Sequence, residues 1–351
     1  MDRKLHLVGS IPFETVEEVF EEYGSPLGEH LTTIPDGEVG HRTHWISRVH
    51  YEVLSLHPDI EVVRQPATEN GEERLNPRNA GDSWLFKVNE GAGALAFDLP
   101  GWRLGFARDA VNSYFVFKTL KEQEKLAPHL RFQVSLPTPT SALPKRIFER
   151  EYEDVAKVKP GFEAAMKAEI ANIAARIPYE DLAIQWDCTS ELQDFCGLFP
   201  ELPGEDVVAR NMDCLRPLCE AVPDDAELGF HLCYGTLGGW PRWEPDDLGG
   251  AVAFANAINA HAGRRVDWIH IPILDRSDDP YFAPLSKLET GGARLYLGAI
   301  HNMERFEDRI AAAGRYLSDF GVGCYCGLGR HNPETLPLVR EEHAQAAKLL
   351  I

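Results

Sequence analysis

Eight short apolar runs, each closed by polar or glycine-containing residues, constrain this chain more than anything else in it. They cover residues 5–10, 30–35, 131–137, 182–188, 227–234, 266–274, 293–300 and 322–328. Each is nearly continuous rather than alternating, the pattern of parallel strands covered on both faces. Amphipathic stretches at 13–23, 162–177, 205–222, 247–261, 305–320 and 333–350 separate most of them. The last opens on Asn332 before Pro333, an N-cap followed by proline at the first helical position. Eight β/α units in this order predict an α/β protein of the (β/α)8 TIM-barrel type. The sixth unit is the least regular, because residues 275–288 contain two prolines and read as a loop with a short helix. Residues 58–104 break the alternation with charge, glycine and the aromatics Trp84, Phe86 and Trp102. They are expected to be a hairpin-like insertion after the second strand, leaning over the barrel mouth. Nothing resembles a linker, a repeat or a low-complexity tract, so residues 1–351 read as one domain.

A chain of 351 residues with 44% hydrophobic content can bury such a barrel easily. Its net charge of −20, from 55 acidic against 35 basic residues, repels nucleic acid and anionic membrane, so neither is an expected partner. No run approaches the ~18 apolar residues of a membrane span. The first residues lack the apolar core of a signal peptide. Seven cysteines, an odd number, then point to reduced thiols in the cytoplasm. Oligomeric state has no signature here.

In barrels of this kind the chemistry sits at the C-terminal ends of the strands. Those ends carry Gly9 and Ser10, Asp36-Gly-Glu38, Pro137-Thr-Pro-Thr140, Asp187-Cys188, His231 and Cys233, His270, His301, and Cys324 with Cys326. Residues i and i+2 of an extended strand share a face, so His231 and Cys233 can reach one ion together, and Cys324 and Cys326 likewise. One imidazole with two or three thiolates suits Zn2+. Three protein ligands and an open position would let a substrate thiol coordinate and lose its proton at neutral pH. Cys188 is expected to line the pocket; Cys196, Cys214 and Cys219 read as packing residues.

An ordered series of motifs over nearly the whole chain resembles the C-terminal catalytic barrel of cobalamin-independent methionine synthase. Val8-Gly-Ser-Ile-Pro12 is similar to the family's opening G-S-[FI]-P, and Asp36-Gly-Glu38-Val-Gly-His-Arg to its G-E-x-x-R-x-D. Leu136-Pro-Thr-Pro-Thr140 stands where the family has G-P-[VT]-T, and Gln185-Trp-Asp187 resembles Q-I-D-E-P. His231-Leu-Cys233-Tyr resembles H-x-C-Y. Leu297-Gly-Ala-Ile-His301, with the later Glu307-x-Arg309-Ile, resembles G-x-x-x-H…E-[IE]-x-x-R-I. Cys326-Gly-Leu resembles the D-C-G-L turn. The resemblance implies a zinc-dependent methyltransferase of methionine biosynthesis, with zinc on His231, Cys233 and Cys326. It also implies an amino-acid thiol such as homocysteine, with its carboxylate near Gly9 and Ser10 and its ammonium at Glu38 and Asp187. His301 would protonate the leaving nitrogen of the methyl donor, and Asp187 would share in catalysis.

The chain departs from that pattern in places. The family's fourth ligand, a glutamate after the sixth strand, falls here on Pro272 or Ile273; His270, Asp275 or Cys324 is the expected substitute, or none. Cys188-Thr189 replaces Glu-Pro after Asp187, and the G-P turn has lost its glycine. The family's separate N-terminal barrel is absent, as in its short single-barrel relatives. These changes leave the donor open among a folate, a methylated corrinoid protein and another small methyl compound. They also keep a zinc-dependent lyase or hydrolase in play, with zinc-bound water reacting near His41, His44, His270 or His331. A non-catalytic zinc-binding barrel is the remaining alternative.

Overall fold

The computed structural model describes residues 4–97, 104–199 and 206–350, so Trp102 and the start of the 205–222 stretch lie outside the described residues. Among the described residues ten strands occur in chain order: β1 (Leu5–His6), β2 (Thr33–Pro35), β3 (Ile60–Arg64), β4 (Leu85–Val88), β5 (Arg131–Pro137), β6 (Leu182–Cys188), β7 (Glu227–Leu232), β8 (Trp268–Pro272), β9 (Arg294–Ile300) and β10 (Gly321–Cys324). Eight of them form one parallel sheet in the order β1-β10-β9-β8-β7-β6-β5-β2. A parallel bridge between Leu5 and Leu31 closes the ring. The architecture is the (β/α)8 barrel that the apolar runs imply.

Two strands, β5 and β6, match their runs residue for residue; others stop short of them. β1 ends at His6, β7 at Leu232 and β10 at Cys324, and the rest of each run bends into the rim. Apolar character continues there because the rim is covered from above, so hydrophobicity marks burial rather than the last ladder bond.

The helices differ from expectation mostly in extent. Glu151–Ala174 starts well before 162 and runs through Pro160. One turn before the proline's own position, the Lys157 carbonyl accepts the N–H of Leu95 at 2.8 Å, tying the insertion to the helix. Phe306–Ala313 is shorter than 305–320, and Phe106–Glu122 was not foreseen from periodicity. Residues 275–288 hold only Asp279–Phe282 and the 3-10 turn Ala283–Lys287.

The insertion contains the expected hairpin. β3 and β4 pair antiparallel, with Val62 opposite Phe86. Trp84 stacks on Phe86 at 5.8 Å between centroids, and the Phe86 carbonyl accepts the Glu149 N–H at 2.8 Å. Pro77 and Ser83 of the same segment line the cleft above the strand ends, so the insertion forms part of its roof.

The barrel interior is partly polar. Thr33 donates to Gln133 Oε1 at 2.7 Å, and Gln133 and Gln185 donate to the Val8 carbonyl at 2.8 and 2.7 Å. His6 Nε2 stands 2.9 Å from Gln185 Oε1 and stacks on Tyr296. Buried polar groups of this kind are stable only when bonded, and here each strengthens the next. The ladder rises toward the C-terminal mouth, where Gln185 donates to Asp187 Oδ1 at 2.8 Å. No described helix is long and apolar enough to cross a membrane.

Candidate metal centre

Strand register sets the floor of the site. Asp187 on β6 lies opposite His231 on β7, and His231 lies opposite His270 on β8. Three polar side chains thus stand in one layer at the mouth, each buried. Just past β7, the Cys233 N–H bonds the Cys188 carbonyl at 3.1 Å, which turns Cys233 back over the ring. Cys326 arrives from the loop after β10, where Leu328 N–H bonds the Ser10 carbonyl at 2.6 Å and stitches the ends of β10 and β1 together.

His231, Cys233 and Cys326 converge, with their ligand atoms all within 4.8 Å of one another. The two sulfurs are 3.3 Å apart, and the Gly235 N–H points at Cys233 Sγ from 3.2 Å. In a tetrahedral site with bonds of about 2.0–2.3 Å, ligand atoms stand roughly 3.3–3.8 Å apart, so the cluster is close to holding an ion as it is. Without one, the Cys326 thiol donates to Cys233 and holds it well below the usual thiol range, with His231 adding to the effect. Cys326 is correspondingly pushed up. Burial works against the His231 cation, but the nearby Cys233 sulfur outweighs it and the net direction is upward.

His270 decides how His231 is presented. Its Nε2 is 3.0 Å from the Cys324 carbonyl, which can only accept, and burial keeps the ring neutral, with its pKa well below the usual value. Its Nδ1 is therefore an acceptor, and it takes the Nδ1–H of His231 at 2.9 Å. His231 Nε2, on the other edge of the ring, is buried and has no partner at hydrogen-bond geometry, while the Cys233 sulfur beside it favours positive charge there. A buried group left so is costly unless something binds it. An ion in place of the Nε2 proton would leave a neutral imidazole with its far N–H anchored on His270, the arrangement of a metal-bound histidine. The residues fit a zinc ion, with a nitrogen and two sulfurs as donors and room for a fourth group.

The fourth-ligand candidates go elsewhere. His270 is a support, since both its nitrogens are engaged. Asp275 bonds Arg309 at 2.6 Å and is half exposed on the outer rim. Cys324 closes β10 and is packed in the hydrophobic core, where burial pushes its thiol to about 12. The two-residue rule fails for Cys324 and Cys326 because the strand ends between them and the ladder has already shifted register.

The carboxylates flank the cluster on the β2 side. Glu38 has φ +49 after Gly37 at +77, a left-handed turn that Asp36 secures by accepting the Glu38 N–H at 2.9 Å. Asp36 in turn bonds Arg42 and Ser113, so it shapes the turn. Glu38 accepts from the Ser10 hydroxyl. Burial, followed by the charge of Asp187, raises Glu38 to about 8. Asp187 is raised to about 7, chiefly by burial. Two buried acids that resist ionisation await a cation.

Asp187 and the cluster border a cleft of about 1030 Å³ open to solvent, whereas Glu38 lines a neighbouring pocket with Asp36 and Arg42 and is linked to the cleft through Ser10. Gly9, Ser10, His44, Asp187, His231, Cys233 and Cys326 line the cleft. His301 does not: its Nε2 is 2.6 Å from the Ile273 carbonyl, and its ring lies under Tyr325, which also stacks on Trp240. Burial lowers His301 to about 4. The expected proton donor is therefore a brace behind the wall in this conformation. His331 is likewise 3.3 Å from the Tyr325 hydroxyl. Cys188 is buried at the end of β6 and absent from the lining, while Cys219 packs in the core and Cys196 and Cys214 lie partly buried outside the cleft. Sequence reasoning passed over Gln133, which supports the ladder, and Arg146 and Arg242, which line the cleft; polar residues at alternate positions within the β5 run were the available signal for Gln133.

No protein-family model and no curated protein matches the sequence. Solved structures do. One is the "Putative Vitamin-B12 Independent Methionine Synthase from Listeria monocytogenes", 13% identical over 98% of this chain and 96% of that one, with a TM-score of 0.51. The chain shares that protein's fold. A "methyltransferase from Methanosarcina mazei" also matches, 12% identical over 99% of this chain and 94% of that one, with a TM-score of 0.48.

Proposed function

We propose that this protein is a zinc-dependent methyltransferase that methylates the thiol of a small amino acid such as homocysteine. The observation that carries the reading is the unpartnered Nε2 of His231, turned by His270 toward two converging cysteines. The motif series and the fold shared with a protein bearing a methionine-synthase name support it. His231, Cys233 and Cys326 would hold the ion, which would supply an acidified thiol at neutral pH and fix its direction.

The chain's own residues do the rest. Glu38 and Asp187 give up protons and receive the ammonium group, while Gly9 and Ser10 face the carboxylate. Gln185 keeps Asp187 in position at 2.8 Å. Pro77 and Ser83 of the insertion cover part of the cleft. The departing methyl carrier takes up a proton from solvent reaching the open cleft, since Asp187 has already given up its own to receive the ammonium.

Metal analysis tests the first half: about one zinc per chain is expected, and a folded, metal-free protein after zinc-supplemented expression overturns it. Cobalt substitution followed by homocysteine titration tests the second. A thiolate-to-cobalt charge-transfer band should grow with homocysteine; a bound cobalt whose spectrum ignores thiols moves the assignment to reaction of metal-bound water.

A further inference from the structure

Arg146 and Arg242 stand on the wall of the same cleft, and among the described residues no acid meets them. Arg146 lies on the 3-10 turn Lys145–Ile147 beyond β5. Arg242 lies in the loop beyond β7; its side chain runs past Gly235, within 3.3 Å of where a Cβ on that glycine would stand. Gly235 is the residue whose N–H points at Cys233. Both arginines are half-buried. The other enclosed arginines of this chain are paired: Arg42 with Asp36, Arg48 with Asp109, Arg309 with Asp275. Arg146 Nε is buried and bonds nothing. Burial, followed by the repulsion of Arg242, drags Arg146 down to about 10. A third arginine lining the cleft, Arg330, bonds the Thr236 hydroxyl rather than a carboxylate.

We propose that Arg146 and Arg242 form an oxyanion subsite, and that the methyl donor carries a phosphate, sulfonate or carboxylate group that these two guanidiniums clamp. The inference rests on the reading of His231, Cys233 and Cys326 as the reaction centre. An uncompensated pair of guanidiniums in a cleft is unfavourable by itself and becomes favourable when a ligand supplies the charge. Two planar forks offer several charge-assisted bonds to one oxyanion. On the proposed reading the amino-acid thiol is met at Asp187 and Ser10, with Glu38 behind Ser10, so the arginines are left for the second substrate. They also line the neighbouring groove with Gln193, Leu198, Phe199 and Trp243, which gives a molecule larger than the thiol somewhere to extend.

The probe is inorganic phosphate, with sulfate and acetate alongside, titrated calorimetrically at low salt into the zinc-loaded full chain. Arg146→Met and Arg242→Met keep the apolar stems; each should weaken phosphate binding by about tenfold or more, the size of one lost charged hydrogen bond. The double variant should lose it, with zinc content unchanged and the unfolding midpoint not lowered. The strongest of the three anions identifies the donor's acidic group. Wild type that binds none of them, or a double variant that binds phosphate as wild type does, overturns the subsite. Cys233→Ser separates the two ideas. Phosphate binding retained without metal supports the subsite alone, and a wild-type chain that takes up zinc but no anion leaves only the metal centre standing.

Discussion

Nδ1 of His270 lies 2.9 Å from Nδ1 of His231, and the bond between them fixes which face of His231 is available to an ion. The Cys324 carbonyl anchors the far side of His270 at 3.0 Å, so the whole relay is set by backbone on β10. Replacing His270 by alanine removes no ligand yet should weaken zinc binding by about 10–100-fold, the usual effect of losing such a support. Competition with a chromophoric chelator measures it; an unchanged affinity would show that the relay is incidental.

The two cysteines flanking Tyr325 should behave differently. Cys326→Ser and Cys233→Ser are expected to leave the barrel folded and metal-poor. Cys324→Ser should keep its zinc, since that thiol faces the core. Zinc loss in Cys324→Ser with retention in Cys326→Ser would reverse the ligand assignment.

Gly298 on β9 makes room for the relay. A Cβ there would stand 2.7 Å from the backbone of Tyr325 and 3.0 Å from the His270 ring. Gly298→Ala should cost about 1–3 kcal/mol of stability by overpacking, and chelator competition should show weaker zinc binding because the ring is displaced. Urea unfolding with zinc titration checks both.

Amino-acid binding should release protons. Glu38 is raised to about 8 by burial and by Asp187, so at pH 7 it is mostly protonated in the free protein. An arriving ammonium favours the carboxylate, and affinity should therefore rise as pH climbs toward 8 and level off above it. Calorimetry of homocysteine binding in two buffers of different ionisation heat reads the released proton. Glu38→Gln should lower the release by up to about one proton per chain, leaving the shares of Asp187 and the thiol; an unchanged release argues against the ammonium role of Glu38.

His343 predicts a stability loss in acid that is independent of the site. It is buried, donates from Nδ1 to the Val339 carbonyl at 2.7 Å, and its pKa is lowered to about 4, chiefly by burial. Above about 6.5 the ring is neutral folded or unfolded and contributes no pH slope. Between about 6.5 and 4 only the unfolded chain takes up the proton, so stability falls with falling pH by up to about 1.4 kcal/mol per unit. Urea titrations of metal-free wild type and His343→Gln at pH 7 and 5 should differ by that slope.

The barrel was legible because parallel strands covered on both faces must be apolar along their whole length, and eight such runs have few other solutions. The ends of the strands were not, since the 227–234 and 322–328 runs stay apolar beyond β7 and β10 as they pass into the covered rim. The helix Phe106–Glu122 escaped notice because its buried face mixes Ser113 and alanines with aromatics.

Within the site, the sequence offered His231 and Cys233 as a pair, two residues apart at one strand end; β7 stops at Leu232, and the bond from the Cys233 N–H to the Cys188 carbonyl carries the ladder one residue further. Tertiary structure decided what the other candidates became. His270 turned from ligand to support because strand register sets it beside His231 while the Cys324 carbonyl claims its other nitrogen. Cys324 and Cys326 parted because the chain leaves the sheet between them. Arg146 and Arg242, nearly a hundred residues apart, were brought to one wall by loops whose path no local pattern encodes. Periodicity specifies the direction of a side chain only while the backbone stays regular, and the mouth of a barrel is where it stops being so.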